Sequence, residues 1–282
     1  MAADLHLHTR FSDGTFTPEE LVAHAARQRL TALALTDHDT VEGCARTAQA
    51  CEQAGIEFFP ATELTAEMAG TELHLLGYGF DTGNPALLQA MHTFQRARQE
   101  RIIAMVERLN RLNVPLRAEE VLALANCRSP GRPHVARALV ARGVCSGVDE
   151  AFARFLKKGR PAWVPKAKVE IEDAIRLVQQ AGGVAVLAHP GLNQADPYVP
   201  ALVEAGLDGL ECLHSKHTAG LTAHYRELAG RHGLLITGGS DCHGMAKGQP
   251  LIGTIRLDSS HLVPLREAIA RRHATAANHA GS

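Results

Sequence analysis

The chain lacks several features that would place it quickly. No two of its cysteines (Cys44, Cys51, Cys127, Cys145, Cys212 and Cys242) form a CxxC pair, and their scatter excludes the spacing of a structural zinc site. In a chain of this length they read as reduced thiols, which predicts a cytoplasmic protein. No apolar run approaches the roughly 20 residues that a membrane span requires. The opening MAADLHLHTRF has no apolar stretch of the secretory kind, so neither a membrane nor an export signal is expected. A charge excess is missing too. Against 29 basic residues stand 30 acidic ones, which excludes the strongly basic footprint of a duplex-DNA binder.

What is present is apolar content, 45% of 282 residues, and an unusual supply of 16 histidines. The first is enough for a buried core in one large α/β domain, with or without an insertion. The second matters through its placement.

Ala3–His8 reads as a strand. Thr17-Pro18-Glu19-Glu20 is a capping box with proline at the first helical position, opening a helix to about Arg29. Leu30–Thr36 is a near-continuous apolar strand, as expected when both faces are covered. A helix over Thr40–Ala54 stops at Gly55. Strands over Ile56–Leu64 and Glu72–Gly79 then flank a turn at Ala69-Gly70. From Pro85 to Lys158 helical patterns alone are convincing: Pro85–Leu112, Ala118–Ala125, Pro133–Arg142 and Val148–Lys157. Alternation resumes with helix Ile171–Ala181, strand Val184–Ala188, a helix after Pro197, strand Gly209–Leu213, helix Thr218–His232, strand Leu234–Thr237 and a helix near Leu262–Arg271. Ala274–Ser282 is left as a frayed tail. This rhythm predicts a parallel α/β sheet or barrel over residues 1–84 and 166–282. An all-helical insertion over 85–165 interrupts it.

The histidines and carboxylates gather at predicted strand ends. His6 and His8 close the first strand on one face, and Asp13 follows in FSDG. Asp37-His38-Asp39 ends the second strand, Glu63 the third, and His74 lies on the fourth. His189-Pro190 and Ser240-Asp241-Cys242-His243 end two later strands. In α/β barrels such ends converge on one mouth, where chemistry is built. Imidazole with carboxylate suits zinc, manganese or iron, and nine ligands exceed the needs of one ion. For Asp37 and Asp39 two tasks stay open: fixing the His38 tautomer or capping the next helix. His24, His92, His224, His232, His261, His273 and His279 read as solvated. His214 and His217 follow a strand toward the same mouth, with no role assigned.

Written here as DLHLHTRFSDG, LTDHD, the Glu63 strand end, LAHP and GGSDCH, these motifs resemble those of the polymerase-and-histidinol-phosphatase (PHP) family, in the same order. The resemblance implies a distorted (β/α)7 barrel holding two or three divalent ions, manganese first, with zinc, iron or magnesium as alternatives. It implies one ion on His6, His8, Glu63 and Asp241, a second on Glu63, His74 and His189, and a third on Asp13, His38 and His243. A metal-bridging hydroxide would attack phosphorus.

Within the family, a barrel interrupted by a helical segment containing Gly131-Arg132-Pro133-His134 resembles the nucleoside-3',5'-bisphosphate phosphatases, a group that includes 5'-to-3' exoribonucleases acting on short RNA. The leading expectation is hydrolysis of the 3'-phosphate of a nucleoside 3',5'-bisphosphate. Exonucleolysis of short RNA and a histidinol- or sugar-phosphate phosphatase are alternatives. A non-catalytic metal-binding regulatory module is the rival from another class. Arg132 and His134, at a predicted helix N-terminus, and Arg98 and Arg101, neighbours on the long helix, are candidate substrate contacts beside His38 and Asp13. Arg98 and Arg101 read equally well as an ordinary charged helix face.

Overall fold

Strand β1 (Ala2–Asp4) starts the sheet, and β2 (Ala32–Leu35), β3 (Glu57–Met68), β4 (Thr71–Tyr78), β5 (Val184–Leu187), β6 (Gly209–His214), β7 (Leu235–Gly239) and β8 (Leu257–Asp258) complete it. The computed structural model describes residues 2–167 and 169–280. The eight strands lie in the order β7-β6-β5-β4-β3-β2-β1-β8. Strands β1–β3 pair in parallel, as do β5–β7, but β4 runs antiparallel to both β3 and β5. The expectation of a parallel sheet is corrected there. Ala69-Gly70 is a hairpin turn, so no crossover helix separates β3 from β4. The two-residue β8, antiparallel to β1, has no counterpart in the sequence reading.

The sheet rolls up because the chain beyond β1 runs along the end of β7. The Leu5 amide donates to Gly238 O (3.1 Å), the Asp241 amide to His6 O (2.9 Å) and the His8 amide to Cys242 O (3.0 Å). Gly239 permits this approach, since a Cβ there would stand 2.3 Å from the His6 nitrogen. The seam is what carries His6 and His8 to Asp241 and His243. The strand expected over Ala3–His8 is therefore split. Ala3 and Asp4 pair with β2, and the residues after them make the seam, where Leu7 bridges Cys242.

Helices α1 (Pro18–Arg27), α2 (Cys44–Ala54), α7 (Ile171–Gln180), α8 (Pro190–Asn193), α9 (Val199–Glu204), α10 (Ala219–His232) and α11 (Leu262–Ala280) belong to the barrel, while α3 (Pro85–Arg111), α4 (Ala118–Ala125), α5 (Arg132–Ala141) and α6 (Val148–Ala151) come between β4 and β5. The capping box at Thr17 and Glu20 forms as read, with both hydrogen bonds present. Helix α2 starts at Cys44, not Thr40, and has no side-chain cap, so neither Asp37 nor Asp39 caps it. Helix α11 continues to Ala280, so the segment read as a frayed tail is helical that far. His273 on it hydrogen-bonds Gly79 O and is not simply solvated.

One apolar cluster takes alternate residues of four strands, β2 to β5 (Ala32, Ala34, Phe59, Ala61, Leu76, Tyr78, Val184 and Val186), together with Leu262, Leu265 and Ala268 of α11. The opposite sheet face packs Leu73, Leu75, Ala185 and Leu187 against α7 and α10. Between Pro85 and Leu156 the described elements are all helical and have a core of their own, around Ile102, Met105, Leu109, Val135 and Leu139. Among the described residues no helix is long and apolar enough to cross a membrane.

Candidate metal centre

Glu63 lies in the middle of β3, not at its end as the sequence suggested, because β3 continues to Met68 as one arm of the hairpin. It continues the face of Phe59 and Ala61. His74, opposite Thr65 on β4, shares the face of Leu76 and Tyr78. Antiparallel pairing thus places Glu63 and His74 as diagonal neighbours on one face, with His74 Nδ1 2.7 Å from Glu63 Oε1.

Around this carboxylate, which is 1% exposed, the other imidazoles close in. His189 Nε2 is 2.9 Å from Oε1. His38 Nδ1 is 3.1 Å, and His6 Nε2 and His8 Nε2 are each 3.4 Å, from Oε2. His8 Nε2 also lies 3.2 Å from Asp241 Oδ1, and His243 Nε2 lies 3.2 Å from Asp13 Oδ1. All nine expected ligands therefore meet in one place. By distance the donor atoms form three compact groups: His8, Asp13, His38 and His243; His6, His8 and Asp241; and His38, Glu63 and His74. The grouping differs from the one implied by resemblance, since His8 and His38 each stand between two groups and His189 reaches the cluster through Glu63.

Local backbone delivers these side chains. Asp37 accepts hydrogen bonds from the Thr9 amide (2.8 Å), Thr9 Oγ1 (2.5 Å) and Ser12 Oγ (2.6 Å), pinning the loop that carries Asp13. Asp39, His189 and Asp241 all adopt positive φ (50°, 28° and 54°), which non-glycine residues rarely do. Such strained positions cluster where side-chain aim matters more than backbone comfort.

A cation fits this donor set. His6 Nε2, His8 Nε2, His38 Nδ1 and Asp13 Oδ1 are buried without hydrogen-bond partners, and buried polar atoms are ordinarily satisfied. Burial alone would raise Glu63, but the His38, His74 and His6 rings outweigh it and hold its carboxyl well below the usual range. Asp241 and Asp13 are likewise held low against burial, chiefly by His243. Burial lowers His38, while the neighbouring carboxylates outweigh burial and raise His6, His74 and His243, the last to about 9, so a binding cation displaces protons from those rings. Neutral imidazole and ionised carboxylate are the forms that ligate.

Three residues of the site escaped the sequence reading. Glu211 on β6, fully buried, accepts from His6 Nδ1 (2.9 Å) and from the His189 amide (2.7 Å), so His6 turns Nε2 toward Glu63. A lone acid inside the apolar strand GLECLH was the available signal. Lys166 Nζ sits 3.3 Å from His74 Nε2 and 3.1 Å from Glu72 Oε1. Burial pulls its pKa down to about 8. Arg137 donates to Asp13 O. Neither of these two had a sequence signal. His214, left without a role, is buried with Nε2 3.5 Å from Asp241 Oδ2. His217 accepts from the Gly191 amide (3.3 Å) and bonds Cys212 O (3.0 Å), bracing the turn after His189. Glu211→Gln is expected to weaken cation affinity about 10- to 100-fold with the fold intact, measured by competition with a metal-binding dye. Unchanged affinity would deny Glu211 a part in aiming His6.

The candidate substrate contacts divide. Arg98 is turned inward: its Nε bonds Asp39 Oδ2 (2.6 Å) and its Nη2 bonds Thr65 Oγ1 (3.2 Å). It braces Asp39 and is neither a solvated face nor a free anion receptor. Arg101 donates to Val164 O (2.9 Å). Arg132 stays at a cavity wall, with its guanidinium over the Phe152 ring at 5.7 Å. His134 Nδ1 accepts from the Gly131 amide (3.0 Å) and closes the first turn of α5. Burial lowers the His134 pKa from 6.5 to about 4. Between those values the unfolded chain binds the extra proton, so acidification removes stability, about 2 kcal/mol from pH 7 to pH 5. His134→Asn retains an acceptor and should lack that part of the pH dependence in urea unfolding of the metal-free protein.

A cavity of about 810 Å³ opens at the cluster, walled by Asp13 and His243 on one side and by Arg137, Phe152 and Lys216 on the others. An α/β barrel with such a cluster at a cation-lined mouth has the frame of a metal-dependent phosphoesterase. The PHP domain family matches residues 4–158. The 3',5'-nucleoside bisphosphate phosphatase of Chromobacterium violaceum is 33% identical over 263 residues, covering 89% of this chain and 90% of its own. The phosphoribosyl 1,2-cyclic phosphate 1,2-diphosphodiesterase of Eggerthella lenta is 34% identical, with 90% and 98% covered. The 5'-3' exoribonuclease Rnm of Escherichia coli is 32% identical, with 85% and 84% covered. A solved structure from Bifidobacterium adolescentis, named as a metal-dependent phosphoesterase, superposes with a TM-score of 0.88 at 34% identity, covering 94% of this chain and 96% of that one. The chain belongs to the PHP domain family and is a metal-dependent phosphoesterase.

Proposed function

We propose that the protein removes the 3'-phosphate of nucleoside 3',5'-bisphosphates, such as adenosine 3',5'-bisphosphate, leaving a 5'-nucleotide and inorganic phosphate. The observation that carries this reading is a second positive zone beside the cluster. Arg137 of α5 lines the cavity at the cluster, and Arg132 of α5 and Lys166 line the neighbouring one, none of them a candidate ligand, so one substrate can meet two anion-binding places. The name of the Chromobacterium relative points the same way.

His6, His8, Asp13, His38, Glu63, His74, His189, Asp241 and His243 would hold two or three divalent ions, manganese first. Bound cations supply charge neutralisation at the phosphoryl oxygens and a nucleophile at neutral pH. The chain's own residues do the rest. Glu211 and Asp37 hold the ligand loops, Arg132 receives the second phosphate, and the helical segment over 85–165 covers the mouth and limits water. All six cysteines are free thiols, which supports a cytoplasmic setting.

Phosphate release should favour the 3',5'-bisphosphate over 5'-AMP or histidinol phosphate by about a hundredfold in kcat/KM. One or two charge-assisted hydrogen bonds to the second phosphate provide that much. Equal turnover of the monoesters would sink the reading. A second reading, 5'-to-3' exonucleolysis of short RNA, is favoured by the size of the 810 Å³ cavity. Preferential release of mononucleotides from a labelled trinucleotide would select it.

A further inference from the structure

On the His74 side a separate cavity of about 340 Å³ opens between the β3–β4 hairpin and the segment following Leu156. Its wall carries Trp163, the chain's single tryptophan, with Arg132, Lys158 and Lys166 against the carboxylates of Glu67 and Glu72. It abuts the cluster directly, since Lys166 Nζ and Glu72 Oε1 stand 3.3 Å and 3.5 Å from His74 Nε2. Arg132 is held only by Leu156 O (3.4 Å) and the face of Phe152, and has no carboxylate partner among the described residues. A cavity of this volume suits one small molecule. An indole offers any nucleobase a stacking face, and clustered cations offer a phosphate its counter-charge. The larger cavity has Phe152 as its aromatic wall residue, and the Arg132 guanidinium already covers that ring.

We propose that this cavity is the nucleoside subsite: the base stacks on Trp163, Arg132 and Lys158 receive the phosphate that is not cleaved, and the scissile ester faces the His/Asp/Glu cluster. The inference rests on the reading of the substrate as a nucleoside bisphosphate. It adds that recognition of the base is by stacking, so purines and pyrimidines are both accepted.

Because Trp163 is the only indole, tryptophan emission, excited selectively over the tyrosines, reports on this wall alone. With the metal-loaded protein, adenosine 5'-monophosphate, the product of the proposed reaction, should cause a saturable loss of emission. Cytidine 5'-monophosphate should do the same, and ribose 5-phosphate should not. Trp163→Ala should weaken adenosine 5'-monophosphate binding, measured by calorimetry, roughly 5- to 150-fold, and Trp163→Phe should recover most of it. Unchanged emission while calorimetry shows binding overturns the subsite, as does an equal loss with ribose 5-phosphate or no binding up to millimolar nucleotide. Saturable quenching by the nucleotide without phosphate release from the bisphosphate keeps the subsite and rejects the bisphosphate reading. Hydrolysis of the bisphosphate with no change in emission on binding rejects the subsite alone.

Discussion

Glu63→Gln should abolish turnover, lowering phosphate release by about 10³-fold or more. Residues that act as one unit lose nearly the whole catalytic effect when a single member is removed. Five imidazole nitrogens stand within 3.4 Å of the two Glu63 oxygens, and among the described residues no other carboxylate reaches as many. Glutamine keeps the volume and the strand pairing while removing the charge that draws cations and holds those rings. Metal per chain, measured by elemental analysis, should fall together with the rate, and circular dichroism should stay native. A variant that retains full metal content and a rate within tenfold of the parent would remove Glu63 from the centre.

Stripping the cations should destabilise the fold far more than any surface substitution. The centre buries Glu63, Asp13 and Glu211 beside ring nitrogens that lack partners, and such groups cost stability unless something satisfies them. Cations that bind the folded chain alone stabilise it by mass action, about 2.7 kcal/mol per site at a hundredfold excess over Kd. For a chain of this size that corresponds to roughly 5–10 °C in Tm. Thermal unfolding after chelation, and again after adding manganese, measures it. A Tm indifferent to chelation and re-addition would mean that the cluster holds no ion.

Much of the site was legible before any coordinates. HxH, TDHD, LAHP and SDCH are local statements: ligand-type side chains at the ends of apolar runs, where strand alternation already tells which residues share a face. Strands and helices were legible from periodicity and from caps such as Thr17 and Gly55. Their ends were not, because the length of β3 depends on a hairpin partner and the start of α2 on a loop bound elsewhere. Arg98 looked available on a helix face, since nothing near it in the chain reveals that Asp39, 59 residues away, holds its guanidinium.

The sequence by itself determined the chemistry on offer, imidazole and carboxylate without thiolate, and the alternation of elements that would present it. Tertiary structure decided how that chemistry is shared. The reversal of β4 puts His74 diagonal to Glu63, the Gly239 seam brings His6 and His8 to Asp241, and Glu211 aims His6 from a strand 205 residues away. The physical reason is that residue type and period-two facing are properties of a few consecutive residues. Pairing register and closure are settled only when distant strands compete for the same backbone hydrogen bonds.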